Sequence, residues 1–125
     1  MNVLLWIVQA LLAVAFLLHG LLLLFPPPAV AEQMHASLGF AFPIFIGVAE
    51  VLAAIGLTLP GLTRIQPWWT SWAAAGIIVV MVSATVFHFN RGEVSSGLTT
   101  LVLLGLAAFV AYMRWRVVPI LPKRA

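Results

Sequence analysis

Four long apolar runs constrain what this chain of 125 residues can fold into. They cover roughly residues 3–25, 40–59, 70–89 and 97–113, and each is close to the ~20-residue length of a helix that crosses a bilayer core of about 30 Å. Since 64% of the residues are hydrophobic and only 7% are charged, a water-soluble domain of this size is excluded. The alternation typical of membrane β-barrels is absent. The sequence therefore predicts an all-α integral membrane four-helix bundle, with residues 1–125 as a single transmembrane domain.

The distribution of basic residues predicts the orientation of the bundle. With four spans, both termini share a side with the loop between the second and third spans. That side carries five of the six basic residues: Arg64, Arg114, Arg116, Lys123 and Arg124. By the positive-inside rule, both termini are expected in the cytoplasm of a multi-pass protein of the bacterial cytoplasmic membrane. The tryptophans all fall at the same level and are expected to form an interfacial belt: Trp6, Trp68, Trp69, Trp72 and Trp115.

Prolines divide the segments between the spans. Three consecutive prolines, residues 26–28, are expected to end the first span sharply, because proline has no backbone donor. The rest of that loop, residues 29–39, is long enough for a short interfacial helix over the mouth of the bundle. Pro60 is expected to stop the second span. The basic C-terminal tail covers residues 114–125, and two further prolines are expected to leave its part VVPILPKRA, residues 117–125, as a frayed surface segment.

One carboxylate, Glu50, lies near the middle of the second span. About ten residues separate it from either end of the run, which places it about 15 Å from each membrane surface. An ionised acid at this depth costs several kcal/mol unless it is paired, so Glu50 is expected to face the bundle interior. Gly47, Ala53 and Ala54 lie three or four residues away, and these small residues allow another helix or a ligand to approach closely.

The polar residues of the chain are distributed unevenly with depth. Every histidine and every acid lies at or outside the midplane, whereas the cytoplasmic half offers little beyond Gln9, Thr70 and Ser71. This asymmetry predicts a polar pocket that opens outward and has Glu50 as its floor. The residues expected to bind a small ligand there are Glu50, His88, His19, Gly47, Arg91 and Asn90. Two alternatives stay open: a structural pair of Glu50 with one histidine, and a proton or ion path.

Several other chemistries find little support in the sequence. His19, His35 and His88 are the available metal ligands, but no HxxxH or HxxE spacing is present, and no metal site is predicted. The chain has no cysteine, so a redox role would need a bound cofactor or a partner. The net charge of +3 is explained by membrane orientation and does not indicate nucleic-acid binding. No nucleophile is paired with an activating base, so autonomous catalysis is not predicted, although enzyme activity stays open.

Two short motifs resemble those of a known family. The second span contains GVAEVLAAIGL and the third ends in SATVFHFNRGE, and together they are similar to the DoxX-like family of small four-helix integral membrane proteins. The matching residues are Gly47, Glu50 and Gly56 in the first motif, and Ala84, His88, Arg91 and Gly92 in the second.

The resemblance implies a limited range of functions. Some members of the family resemble the small subunit of a thiosulfate:quinone oxidoreductase, and distant relatives look like assembly chaperones. The first hypothesis is an accessory protein that binds a quinone or another small amphipathic ligand in the outward-facing pocket and serves the subunits of a membrane redox enzyme. The alternatives are a ligand-free assembly subunit acting through Ala107-x-x-x-Ala111 and a proton-coupled carrier. A homo-oligomer is compatible with each hypothesis.

Overall fold

The computed structural model describes residues 1–124, which form five α-helices and a short π-helical segment. The α-helices are α1 (Asn2–Leu24), α2 (Pro28–Leu38), α3 (Ala41–Thr63), α4 (Trp69–Asn90) and α5 (Val94–Tyr112), and α5 continues as a π-helix, Met113–Val117. All but α2 are long and apolar enough to cross a membrane, α5 together with its π-helical extension. The predicted all-α membrane four-helix bundle is therefore confirmed, whereas the cytoplasmic location of the termini stays a prediction.

The four spanning helices pack side by side in the order α1, α3, α4, α5. The most extensive interfaces are those of α1 with α3 and of α4 with α5, while α3 meets α4 over fewer residues and α1 contacts α5 only briefly. The core is built from Leu12, Ala13, Phe16, Ala54, Leu57, Ala74, Ile77, Met81, Ala107 and Val110. We call the end of the bundle at which α1 begins and α5 ends the terminal end, and the opposite end the α2 end.

Two glycines bring α1 and α3 into backbone contact. A Cβ atom on Gly20 would lie 2.9 Å from the Gly47 carbonyl oxygen, and a Cβ atom on Gly47 would lie 3.0 Å from the Gly20 carbonyl oxygen. Both glycines are buried. Inside a bilayer the hydrophobic effect does not drive helices together. Small residues such as these let two helices approach closely and gain van der Waals contacts instead. This crossing therefore fixes the distance between the neighbouring side chains of α1 and α3.

The boundaries of the helices depart from the sequence expectation at two places. The prediction that Pro60 stops the second span is wrong, because α3 continues to Thr63 with Pro60 inside it. A membrane helix tolerates the loss of the single backbone hydrogen bond that proline cannot donate. The helix ends instead at Thr63, and the next residue, Arg64, has a left-handed φ of 57°. The loop after the first span contains α2, as predicted, and α5 begins at Val94, which is earlier than expected.

The C-terminal segment is attached to the loop after α3, and the expectation of a frayed tail is wrong for the part described. Arg64 donates hydrogen bonds to the carbonyl oxygens of Leu121 at 2.8 Å and Pro122 at 3.3 Å. The Lys123 N–H donates in return to the Arg64 carbonyl oxygen at 2.9 Å. Proline residues prevent a helix here, as predicted, but the side chain of Arg64 supplies the missing partners. Ala125, the last residue of the predicted tail, lies outside the described residues.

Substituting Gly20 by alanine tests the crossing of α1 and α3. Gly20→Ala is expected to lower the free energy of unfolding by about 1–3 kcal/mol, because the added Cβ must push α1 away from the backbone of α3. Denaturant or thermal unfolding in detergent micelles, followed by circular dichroism, measures the change. Gly105→Ala is the matched control, since a Cβ there has nothing within 4 Å and should leave stability unchanged or slightly raised. Equal destabilisation by both substitutions would contradict the proposed crossing.

Candidate functional site

His19 of α1 and Glu50 of α3 form a hydrogen-bonded pair within the spanning region. The His19 Nδ1 and Glu50 Oε2 atoms are 2.6 Å apart. The Glu50 side chain is only 4% exposed, whereas that of His19 is 57% exposed, so the acid lies inside the bundle and the imidazole lies at its surface. The prediction that Glu50 faces the interior is confirmed. A polar partner is what a carboxyl group at this depth requires.

The glycine crossing places the two members of this pair within reach. His19 directly precedes Gly20, and Glu50 lies three residues after Gly47, on the same face of α3. A Cβ on Gly20 would also come within 3.2 Å of the Glu50 Cβ, which shows how closely the two helices approach at this level. Gly47, predicted as part of a ligand site, packs against Leu24 and the backbone of Gly20.

The His19–Glu50 pair can both donate and accept a hydrogen bond toward a third group. One proton joins Nδ1 and Oε2, either as imidazolium with carboxylate or as imidazole with carboxylic acid. The other carboxyl oxygen, Oε1, makes no hydrogen bond to any residue that the structure describes. As a carboxylate, Glu50 can accept a hydrogen bond from a third group at Oε1. With a second proton on Oε1, and with His19 Nδ1–H donating to Oε2, Glu50 can donate one. A short hydrogen bond of this kind also suits proton transfer between the interior and the surface.

An apolar groove begins beside Glu50 and runs between α3 and α4 toward the terminal end. Its volume is about 410 Å³, and Glu50 is the only ionisable residue in its lining. Much of its floor is made of small residues, namely Ala49, Ala53, Gly56, Ala73 and Gly76. Trp69 and Trp72 close it at the terminal end. Since Trp72 and Gly76 are both exposed on the outer surface of the bundle, this α3–α4 groove opens toward the lipid.

A second polar cluster lies at the α2 end, where α4 ends and α5 begins. Glu93 Oε1 is 3.0 Å from Arg91 Nε and 3.5 Å from His88 Nδ1. The contact between Glu93 and His88 is within the range of an ion pair but does not have the geometry of a hydrogen bond. The buried His88 Nδ1 therefore has no hydrogen-bond partner among the described residues. The Arg91 guanidinium also lies 5.1 Å from the centre of the Phe87 ring. We call His88, Arg91 and Glu93 the Glu93 cluster. Asn90 is the last residue of α4, lies next to this cluster in the chain and is exposed.

The structure does not join these polar groups into one pocket. Within residues 1–124, no hydrogen bond or ion pair links the His19–Glu50 pair to the Glu93 cluster, and neither His88 nor Asn90 lines the α3–α4 groove. The cavity that borders Glu50 is apolar and extends toward the terminal end, whereas the sequence predicted a polar pocket opening the other way. That the six predicted residues bind a ligand stays a prediction.

The three histidines lie apart from one another. His35 of α2 packs its ring against Phe40, with ring centres 4.2 Å apart, and joins neither His19 nor His88. Across the described part of the chain, no three His, Cys, Asp or Glu side chains are arranged to hold a metal ion.

A buried polar cluster at the terminal end is the feature that sequence reasoning missed. Arg114, expected in a basic surface tail, is only 4% exposed. Its Nε donates to Gln9 Oε1 at 2.6 Å, and its Nη1 donates to Asn2 Oδ1 at 2.7 Å and to the Val118 carbonyl oxygen at 3.1 Å. Gln9 Nε2 donates in turn to the Leu57 carbonyl oxygen at 2.6 Å. We call Asn2, Gln9 and Arg114 the Arg114 cluster.

The sequence does contain a signal for this cluster, but Arg114 is interpreted there only as a residue that sets the orientation in the membrane. Gln9 lies inside an apolar run and needs a buried partner, and Arg114 ends the last span at the same end of the bundle. When every arginine is taken as an exposed charge, Arg114 is not recognised as the buried partner of Gln9. The polar groups of the terminal half are therefore more numerous than the sequence interpretation allowed.

Four lipid-facing helices, a buried carboxyl group paired with a histidine and a lateral apolar groove define a small multi-pass membrane protein in contact with the bilayer. The DoxX-like family model matches residues 7–110, from the first turns of α1 to the end of α5. The chain belongs to the DoxX-like family, as its Glu50 and His88 motifs indicated. No curated protein and no solved structure matches the chain.

A double-mutant cycle tests the His19–Glu50 pair. His19→Leu and Glu50→Leu are each expected to lower the free energy of unfolding, and the double variant should lose less than the sum, with a coupling energy of about 1–2 kcal/mol. The half-exposed imidazole keeps this figure below that of a fully buried pair. Thermal unfolding in detergent measures all four proteins. The same cycle with His35→Leu replacing His19→Leu is the control and should show no coupling, and equal coupling in both cycles would refute the pair.

Proposed function

We propose that this protein is an accessory protein of the bacterial cytoplasmic membrane that binds one small amphipathic molecule, a quinone, for a membrane redox system. The observation that supports this is a buried carboxyl group at one end of an apolar groove that opens to lipid. Sites for small molecules are mostly apolar with a few well-placed polar groups, and volumes of about 300–1,000 Å³ are usual. The α3–α4 groove, at about 410 Å³, meets both conditions.

The chemistry of Glu50 suits both redox forms of a quinone head group. As a carboxylic acid, Glu50 donates a hydrogen bond to a quinone carbonyl oxygen, and as a carboxylate it accepts one from a quinol hydroxyl. The apolar tail of the ligand then lies over the small residues of α3 and α4. Trp69 and Trp72 provide aromatic faces at the far end of the groove. A ligand dissolved in the bilayer reaches this site sideways, through the exposed edge at Gly76.

His19 gives Glu50 a route for exchanging protons with the outside of the bundle. When a partner enzyme supplies the two electrons that convert a quinone to a quinol, two protons must also be added to its oxygens. Glu50 provides the first proton from Oε1, is reprotonated through the hydrogen bond to His19, whose imidazole is more than half exposed, and then provides the second proton in the same way. The electrons themselves come from the partner in this scheme, and this chain holds the head group and conducts the proton.

The two alternative functions have less support in the geometry. An assembly role through Ala107-x-x-x-Ala111 would need that face to be available, but Ala107 is fully buried and Ala111 packs against the same core. A proton carrier would need a continuous relay across the bundle. Leu12, Phe16 and Leu57, all buried and apolar, instead occupy the core between Glu50 and the terminal end.

Quinone binding can be measured through the two tryptophans of the groove. Titration of the purified protein in detergent with a short-chain benzoquinone is expected to quench tryptophan fluorescence in a saturable way, because Trp69 and Trp72 line the site. Glu50→Leu is expected to weaken binding by about tenfold through the loss of one hydrogen bond to the head group. Gly76→Leu should abolish the saturable phase, since its side chain would enter the groove where a Cβ meets nothing within 4 Å.

Gly105→Leu provides the matched control for the Gly76 variant. It introduces the same side chain at another exposed helical glycine that does not line the groove, and a Cβ there also meets nothing within 4 Å. Quenching of this variant should match that of the unmodified protein. Linear, unsaturable quenching in every variant would show that the quinone only partitions into the micelle, and the proposed function would then be rejected.

A further inference from the structure

A second cavity lies at the terminal end of the bundle, apart from the α3–α4 groove. Its volume is about 420 Å³. The walls are largely aromatic and aliphatic, with Trp68, Trp72 and Trp115 on one side and the C-terminal segment, residues 119–122, on the other. Arg114 is the charged residue in this lining. We call this space the terminal cavity.

Arg114 is buried without an acidic partner among the described residues. Its Nε and Nη1 atoms donate to neutral amide and carbonyl oxygens only. The three acids of the chain lie elsewhere: Glu32 in α2, Glu50 beside His19, and Glu93 at the α2 end. Arg114, a residue that is 4% exposed, therefore carries a positive charge that no acidic side chain among the described residues neutralises. A buried charge in such surroundings is stabilised by an anion that also accepts its remaining hydrogen bonds.

Arg114 has one donor without an acceptor. Its Nη2 atom is buried and makes no hydrogen bond within the described residues. The hydroxyl of Thr70, a residue outside the lining of the terminal cavity, is also buried and unpaired. Ser71, next to Thr70, contributes a hydroxyl to the lining of the terminal cavity. Trp6 covers one side of the guanidinium, at 5.3 Å from its ring centre. Buried donors are rarely left unpaired in native proteins, so Arg114 Nη2 indicates an acceptor that the described residues do not supply.

We propose that the terminal cavity binds the phosphate group of an anionic phospholipid. Arg114 supplies the charge, Ser71 donates a hydrogen bond, and the glycerol and upper acyl carbons pack against Trp72 and Trp115. A phosphate has the several acceptor oxygens that a guanidinium recognises best. The apolar aromatic walls favour a lipid over a free anion, because only the lipid has an apolar part to fill them. The tryptophans also mark the level at which head groups lie.

Arg64 holds the outer wall of the terminal cavity in place. Its side chain fastens the carbonyl groups of Leu121 and Pro122, which both line the cavity. Arg64 is therefore a positioning residue in this proposal, and its Nε and Nη2 donors are used by the backbone. The proposal does not depend on the quinone site at Glu50.

Lipid retention by the full-length protein tests the proposal directly. The protein is purified from vesicles containing equal amounts of phosphatidylglycerol and phosphatidylcholine, and the bound lipids are counted by native mass spectrometry. We expect retained phosphatidylglycerol to exceed phosphatidylcholine by about fivefold, the preference that one basic group gives. In Arg114→Gln the ratio should fall to about one. Arg116→Gln, which removes an exposed arginine two residues away, is the matched control and should keep the preference.

A second measurement does not require any variant to fold. The midpoint of thermal unfolding of the unmodified protein should rise when phosphatidylglycerol is added to the micelles and should not change with phosphatidylcholine. Equal retention of the two lipids by the unmodified protein would overturn the proposal. An equal rise in midpoint with inorganic phosphate alone would also overturn it, because the site would then take a free anion.

Discussion

The hydrogen bond between His19 and Glu50 is the interaction on which the arrangement of this bundle depends. A carboxyl group near the middle of a bilayer is stable only with a partner, and the partner is within 2.6 Å only because Gly20 and Gly47 let α1 and α3 touch. The tight interface with α1 lies on one face of α3. The interface between α3 and α4 is less extensive and involves small residues, and the α3–α4 groove lies along that interface. Small residues on two faces of α3 therefore account for both features: Gly47 allows the close contact with α1, and Ala49, Ala53 and Gly56 leave the space of the groove.

The two buried ionisable groups of the bundle are stabilised in different ways. Glu50 has a titratable partner, so the pair as a whole can be neutral and can still exchange a proton with the surface. Arg114 is surrounded by neutral amide and carbonyl oxygens, which solvate its charge without cancelling it. A titratable pair suits a site whose ligand changes protonation state, and a fixed charge suits a site whose ligand is always an anion. This contrast supports different ligands at the two ends.

Much of the fold, and part of the site, could be predicted from the sequence because lipid permits few solutions. Long apolar runs in a bilayer must be helices, and an acid inside one of them must face inward, so the four spans and the burial of Glu50 followed directly. The end of α3 could not be predicted from Pro60, because a membrane helix tolerates the missing donor. The burial of Arg114 was hidden for another reason: an arginine that orients a protein and one that binds within it look the same in a sequence.

Trp72 connects the two sites that we propose. Its side chain lines both the α3–α4 groove and the terminal cavity, and its ring is 5.6 Å from that of Trp115. A phospholipid in the terminal cavity would pack against one side of this indole and limit its movement. The far end of the groove would then be better ordered for the tail of a quinone. Because binding free energies at two sites that share a side chain are not independent, a lipid bound at Arg114 would change the affinity for a quinone at Glu50, and the quinone would change the affinity for the lipid by the same factor.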